Sequence, residues 1–214
     1  MDVPRRRLRR LYGRTHGYLV SESDIARVER AGSSATYGEL TPRGAALLFE
    51  VLRPKSEDTL IDLGSGIGRV VMHAALATKV KLAVGVEMTR ARHRIACSRL
   101  ARAREWGWEE ADRVQFELGD FMRRDFSGFS LIYACSTAFP DEFLSRVVRK
   151  AAHNEPGARL VVFSPLDENP WFERRETMRL DTTWRRGFPV HIYELVRPYG
   201  FSRAGRKKAA TSET

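Results

Sequence analysis

Cysteine is nearly absent. Cys97 and Cys135 are the only two in 214 residues, they lie far apart, and no C-x-x-C pair occurs, which fits a reducing compartment and excludes a thiolate zinc site. His16, His73, His93, His153 and His191 show no metal-ligand spacing, so each reads as a surface or packing residue and no metal is expected. No apolar run approaches the roughly 20 residues that cross a bilayer, and the amino-terminal residues lack the apolar stretch of a secretory signal. A monomer without membrane association is expected. There is no internal repeat, and the length accommodates one α/β domain with a few extra strands.

Acid is scarce at the two ends. Residues 1–20 hold six arginines against Asp2, and residues 201–214 hold four basic residues against Glu213, so the tails carry most of the formal net charge of +10. Arg5-Arg6-Arg7-Leu8-Arg9-Arg10 and Arg206-Lys207-Lys208 read as flexible arms that neutralise phosphate, which makes DNA contact one expectation. A solubility tail, a nuclear import signal or an organellar presequence is the alternative.

The most informative run present is Thr59-Leu60-Ile61-Asp62-Leu63-Gly64-Ser65-Gly66-Ile67-Gly68-Arg69, a short apolar strand that breaks into alternating glycines and then a helical pattern. Glycines at alternate positions form a wall with no Cβ, on which a nucleoside can lie. A dinucleotide fingerprint would need glycine at Arg69. The shortened G-x-G-x-G spacing behind Asp62 suits S-adenosylmethionine instead, which has no pyrophosphate to cradle. Its ribose hydroxyls need an acceptor, and Val80–Val86 reads as a second strand ending in Glu87, where a doubly wound fold places that acid. A third strand, Val114–Leu118, ends in Gly119-Asp120-Phe121, an acid for the adenine amino group beside a ring to stack on it. Any one acid at a strand end is ordinarily just solvated. Three in succession after a glycine turn make a cofactor site from Asp62, Gly64, Ser65, Gly66, Gly68, Glu87, Asp120 and Phe121.

The remaining pattern alternates: a helix capped by Thr41-Pro42, a strand near 59–63, a helix from Gly68, a strand near 81–87, and a helix from Thr89 to about Glu105. Strands at 114–118 and 129–134, a helix at 141–152 and a strand at 158–163 follow. Such alternation predicts a Rossmann-like parallel sheet with helices on both faces and ligands at the carboxyl ends of the strands. Segments around 177–183 and 190–196 alternate without helical spacing and are expected to close the sheet as an antiparallel pair.

On these motifs the chain resembles a class I methyltransferase, and within that class the disruptor-of-telomeric-silencing family of histone lysine methyltransferases. Tyr37-Gly38-Glu39 matches that family's Y-G-E loop over the methionine end of the cofactor, which implies cofactor roles for Tyr37 and Glu39. Asp62 to Gly66, Gly85-Val86-Glu87, Gly119-Asp120-Phe121, Ala138-Phe139, Phe163-Ser164-Pro165, and Trp184 with Pro189-Val190-His191-Ile192-Tyr193 follow its order. The resemblance covers about Tyr37 to Arg197. It implies a histone or nucleosome substrate, methylation of a core lysine of histone three, and a nuclear location, with a mitochondrial or cytoplasmic one as alternative. It departs in two places: Cys135 and Ser136 stand where the family carries an asparagine pair lining the lysine channel, and the helical region that usually precedes the Y-G-E loop is replaced by a short basic lead.

Methyl transfer requires alignment and a neutral amine, and a lysine of ordinary pKa near ~10.4 loses its proton more readily in a narrow apolar channel. Phe139, Trp184, Tyr193 and Cys135 are the candidate channel residues, with Tyr133 able to point either way from its strand; core or lid packing is the bland alternative for the aromatics. The expected division is a basic lead over 1–35, a methyltransferase domain over 36–200 and a flexible basic tail over 201–214. Other readings are a different class I methyltransferase, acting on nucleic acid or on a mitochondrial protein lysine, and a cofactor-binding chromatin module without activity.

Overall fold

In a computed structural model describing residues 3–200, seven strands form one sheet in the order β3-β2-β1-β4-β5-β7-β6. The strands are β1 (Thr59–Leu63), β2 (Leu82–Glu87), β3 (Val114–Leu118), β4 (Leu131–Ala134), β5 (Arg159–Val162), β6 (Phe172–Leu180) and β7 (Phe188–Leu195). β1 to β5 are mutually parallel, and β7 runs antiparallel to both β5 and β6. This is the class I methyltransferase arrangement, with its antiparallel closing pair. The helices are α1 (Val3–Tyr12), α2 (Glu22–Arg30), α3 (Pro42–Leu52), α4 (Arg69–Ala77), α5 (Arg90–Glu105) and α6 (Asp141–Ala151). β1 reads apolar at consecutive positions because it is buried on both faces, as parallel strands are.

Alternation along the strands builds two cores. Leu60, Ala83, Tyr133, Val161 and Ile192 pack under α1, α3, α4 and α5. Ile61, Val84, Ile132, Leu160 and Tyr193 face the other way, beneath α6. Thr41 caps α3 through a hydrogen bond from the Gly44 amide to its Oγ1 at 3.1 Å, with Pro42 at the first helical position.

Two expectations change. The closing pair begins earlier than the alternation suggested, at Phe172, because a register shift between Arg174 and Glu176 scrambles its period. β6 is the sheet edge, and its exposed middle, Glu173-Arg174-Arg175-Glu176, carries charge of both signs, which blunts pairing with another edge. The amino-terminal arginines, expected as a flexible arm, lie on α1, whose Leu8, Leu11 and Tyr12 are buried in the core. Arg7 donates to both carboxylate oxygens of Glu110 at 2.7 and 2.8 Å and lies 4.2 Å from the centre of the Trp108 ring, while Arg10 covers Trp106 at the same distance. These two charges are spent on packing. The basic run Arg206-Lys207-Lys208 lies outside the described residues.

Candidate active site

The glycine turn is bound to the neighbouring strand before any ligand is considered. The Gly64 and Ser65 amides donate to the Val86 carbonyl at 2.9 and 3.0 Å. The Gly66 amide donates to Oε2 of Glu87 at 2.8 Å, and the Thr89 amide to Oε1 at 2.7 Å. The buried Glu87 carboxylate at the end of β2 is thus fixed by two backbone donors, one per oxygen, and each oxygen keeps a further lone pair. Gly66 has φ 55°, and a Cβ there would stand 2.8 Å from the Tyr37 ring. Gly68, expected as a cofactor residue, does not line the pocket. A Cβ there would meet Phe116 at 2.3 Å, so this glycine brings α4 close to the sheet.

The Y-G-E loop lies on this turn. The Tyr37 hydroxyl donates to Oε2 of Glu39 at 2.8 Å, and Arg69 reaches Oε1 of Glu39 at 3.2 Å. Gly38 lies under Trp184, whose ring occupies the place a side chain would take, 2.4 Å from its Cβ position. The Glu39 amide donates to Oγ1 of Thr183 at 3.2 Å, the Thr183 amide returns a bond to the Glu39 carbonyl at 2.9 Å, and Leu40 bridges Thr182. Arg92, a residue the motifs gave no sign of, holds the loop from below: its Nε donates to the Gly17 carbonyl at 2.8 Å, its Nη2 to Ala35 at 2.7 Å, and its guanidinium lies 4.8 Å from the Tyr37 ring centre.

Tyr37, Glu39, Asp62, Gly64, Ser65, Gly66, Glu87, Asp120 and Phe121 line one cavity at the carboxyl ends of the strands. Burial raises the Asp62 carboxyl well above the usual range, and the charges of Glu87 and Glu39 add to the rise. Burial also raises Glu39, against the opposing pull of Arg69 and the Tyr37 hydroxyl. Crowded, desolvated carboxylates favour a cationic ligand. Oγ of Ser65 is buried without a hydrogen-bond partner among the described residues; Oδ1 of Asp120 accepts the Met122 amide at 2.8 Å, and its Oδ2 lies 3.9 Å from Nε of the exposed Arg123. These groups fit S-adenosylmethionine: Glu87 for the ribose, Asp120 and Phe121 for the adenine, and Asp62 with Glu39 beside the ammonium and sulfonium. The enclosed cavity measures only about 90 Å³, against roughly 300–1,000 Å³ for ordinary ligand pockets. Val28 and Ala31 at the end of α2, with Ser33, Ser34 and Thr36, also line it.

The acceptor side departs from expectation. Cys135, Phe139 and Tyr133 line the cavity. Burial, with the Asp62 charge next, pushes the Cys135 thiol up to about 12, so it is neutral. The Tyr133 hydroxyl is buried without a hydrogen-bond partner among the described residues. Ser136 does not face the cavity: its Oγ accepts the Phe163 and Ser164 amides, each at 3.0 Å, and so joins the ends of β4 and β5. Only one of the two positions where the family carries asparagine therefore borders the pocket. Trp184 lies outside the cavity as a cover on Gly38, against Phe163 and Phe188. Tyr193 is on the α6 face, where its hydroxyl accepts the Leu166 amide at 2.9 Å. Tyr193→Phe should cost about 1 kcal/mol in chemical denaturation and leave cofactor affinity unchanged in calorimetry; an equal fall in affinity would put Tyr193 back in the site.

Known proteins bear on this geometry. An RNA methyltransferase from Salinibacter ruber, solved with S-adenosyl-L-homocysteine, superposes with a TM-score of 0.53 at 23% identity, over 74% of this chain and 93% of that one. TrmN from Thermus thermophilus superposes at 0.58 with 19% identity, over 80% of this chain and 53% of that one. Both share the fold. Among sequences, the H3 lysine-79 specific histone-lysine N-methyltransferase of Aspergillus fumigatus is 40% identical over 76 residues, 36% of this chain and 14% of that protein. Its counterpart in Drosophila melanogaster is 28% identical over 145 residues, 63% of this chain and 8% of that protein, so the chain spans a small part of these relatives. A protein-lysine N-methyltransferase of Saccharolobus islandicus is 29% identical over 114 residues, 53% of this chain and 66% of that protein. Residues 18–169 match the family described as histone methylation protein DOT1, and the chain belongs to this family.

Proposed function

We propose that this chain is a protein lysine methyltransferase acting on a core lysine of histone three in nucleosomes. The observation that carries the reading is the joining of the Y-G-E loop, the glycine turn and Glu87 around one cavity that Tyr133, Cys135 and Phe139 also line. S-adenosylmethionine supplies an electrophilic methyl group there. The chain's own residues do the rest. Phe139 and the neutral Cys135 make an apolar throat that favours an uncharged amine, and the Tyr133 hydroxyl, which has no hydrogen-bond partner among the described residues, can hold that nitrogen in line for displacement. The nucleosome reading brings with it a nuclear location and a basic surface meeting DNA, with residues 36–200 as the methyltransferase domain. The likeness to a protein-lysine N-methyltransferase from an archaeon favours a second reading, a non-histone basic protein as substrate. Transfer of tritium from labelled cofactor to nucleosomes, free histones and a general protein extract separates the two. Label on histone three supports the first, label only on other proteins the second, and no transfer to any of them removes the enzyme reading.

The raised carboxyls set a pH dependence. A cationic ligand prefers Glu39 and Asp62 ionised, and burial raises both, so protons compete with the cofactor at higher pH than for ordinary carboxylates. Affinity for S-adenosylmethionine, measured by calorimetry from pH 8 downward, should fall before the usual carboxylate range is reached, and Glu39→Gln should flatten the profile. A profile flat to pH 5 in the unmodified protein would contradict this.

A further inference from the structure

A second cavity, of about 450 Å³, opens between α1, the start of α3 and the first turns of α4. Its volume is within the range of ordinary small-molecule sites. Arg5, Arg6, Arg9, Arg43 and Arg69 line it, and no acidic residue does. Leu8 and Val70 add apolar lining, as does Tyr12, 3% exposed, whose buried hydroxyl has no hydrogen-bond partner among the described residues. Neither Arg9 nor Arg43 forms an ion pair among the described residues, so their charge is uncompensated where it surrounds the opening. The capped amino terminus of α3, at Thr41 and Pro42, adds its positive end to the same rim. In this Arg9 and Arg43 differ from Arg7 and Arg10, which are spent on Glu110 and the tryptophans.

The second cavity is back to back with the first. Val70 borders both, and Arg69, which lines the second, reaches across to Glu39, which lines the first, at 3.2 Å. We propose that this cavity binds a small organic phosphate monoester, an oxyanion held by Arg9, Arg43 and Arg69 with its apolar body on Leu8 and Val70, and that its occupancy tightens cofactor binding. The sign follows from Arg69. An anion beside it draws its guanidinium away from Glu39, which leaves that carboxylate more negative and more attractive to a cationic ligand in the neighbouring pocket. Linkage makes the effect reciprocal, so the cofactor tightens phosphate binding by the same factor. The coupling rests on the proposed cofactor reading; the phosphate site does not.

The test uses the full chain, phenyl phosphate as probe, and chloride to hold ionic strength constant. Calorimetry should give saturable one-to-one binding of phenyl phosphate without cofactor, and the double substitution Arg9→Gln with Arg43→Gln, at two residues that do not line the cofactor pocket, should weaken it by about tenfold or more. Non-saturable binding, or equal affinity in the variant, overturns the site. Binding of a short DNA duplex that is lost in the variant, with no binding of phenyl phosphate, would also overturn it and assign these arginines to a nucleic-acid surface. In the second arm, saturating phenyl phosphate should raise affinity for S-adenosylmethionine about fivefold or more in the unmodified chain and leave the variant unchanged. Failure of S-adenosylmethionine to bind at all would strike the cofactor reading and leave the phosphate site standing, whereas binding unaffected by phenyl phosphate would overturn the coupling alone.

Discussion

Glu87→Ala should weaken binding of S-adenosylmethionine by at least about 2 kcal/mol, roughly a thirtyfold rise in Kd, because both ribose hydroxyls lose a charged acceptor. The loss should exceed that from any single lining residue, since Glu87 also holds the turn. Its oxygens receive the amides of Gly66 and Thr89, and removing them leaves two buried donors without partners. The same substitution should therefore lower stability in chemical denaturation by about 1–3 kcal/mol. Calorimetry below the unfolding transition separates the two losses. Unchanged affinity would take Glu87 out of the site and leave it the purely structural task of bracing the turn.

The largest effect on stability is expected at Gly68. Its φ of 84° is costly for any residue with a Cβ, by about 1–2 kcal/mol. A Cβ there would stand 2.3 Å from Cζ of Phe116 and 3.2 Å from Cβ of Ala96. The Phe116 ring cannot retreat freely, because its other edge abuts Gly85, where an added Cβ would meet Cδ1 at 2.8 Å. Overpacking of this kind adds about 1–3 kcal/mol, so Gly68→Ala should destabilise the protein by about 2–5 kcal/mol in total. Adding Phe116→Leu should recover the steric share and leave the backbone share. A single Gly68→Ala variant as stable as the parent would show that α4 can shift along the sheet without cost.

Much of the frame was legible because its signals are local. The apolar run into Gly64-Ser65-Gly66 gave β1, the turn and α4. The acids ending the next two strands needed only strand periodicity to be placed at the same edge of the sheet. Tyr193 was misplaced for a related reason. A motif match fixed its neighbourhood in sequence, yet a strand alternates, and Val190 and Ile192 take the face beneath α3 and α4 while Tyr193 takes the other. One residue of offset decides which core a side chain enters. The docking of α1 was hidden by composition: six arginines in residues 1–20 read as a solvated arm, whereas Leu8, Leu11 and Tyr12 recur at helical spacing and bury one face. Arg92 gave no signal at all, since its partners are the backbone carbonyls of Gly17 and Ala35, far away in sequence.

The bond between the Glu39 amide and Thr183 spans 144 positions of the chain. During synthesis, the glycine turn and the first five strands emerge before the segment that fastens the Y-G-E loop. A nascent chain stopped after β5 would carry Asp62, Glu87, Asp120 and the Arg92 brace, but neither the Thr183 bonds to Glu39 nor the Trp184 ring over Gly38. Fastening of the Y-G-E loop at Thr183 is thus a late event on the ribosome, set by a contact of high sequence separation and slow to form for that reason.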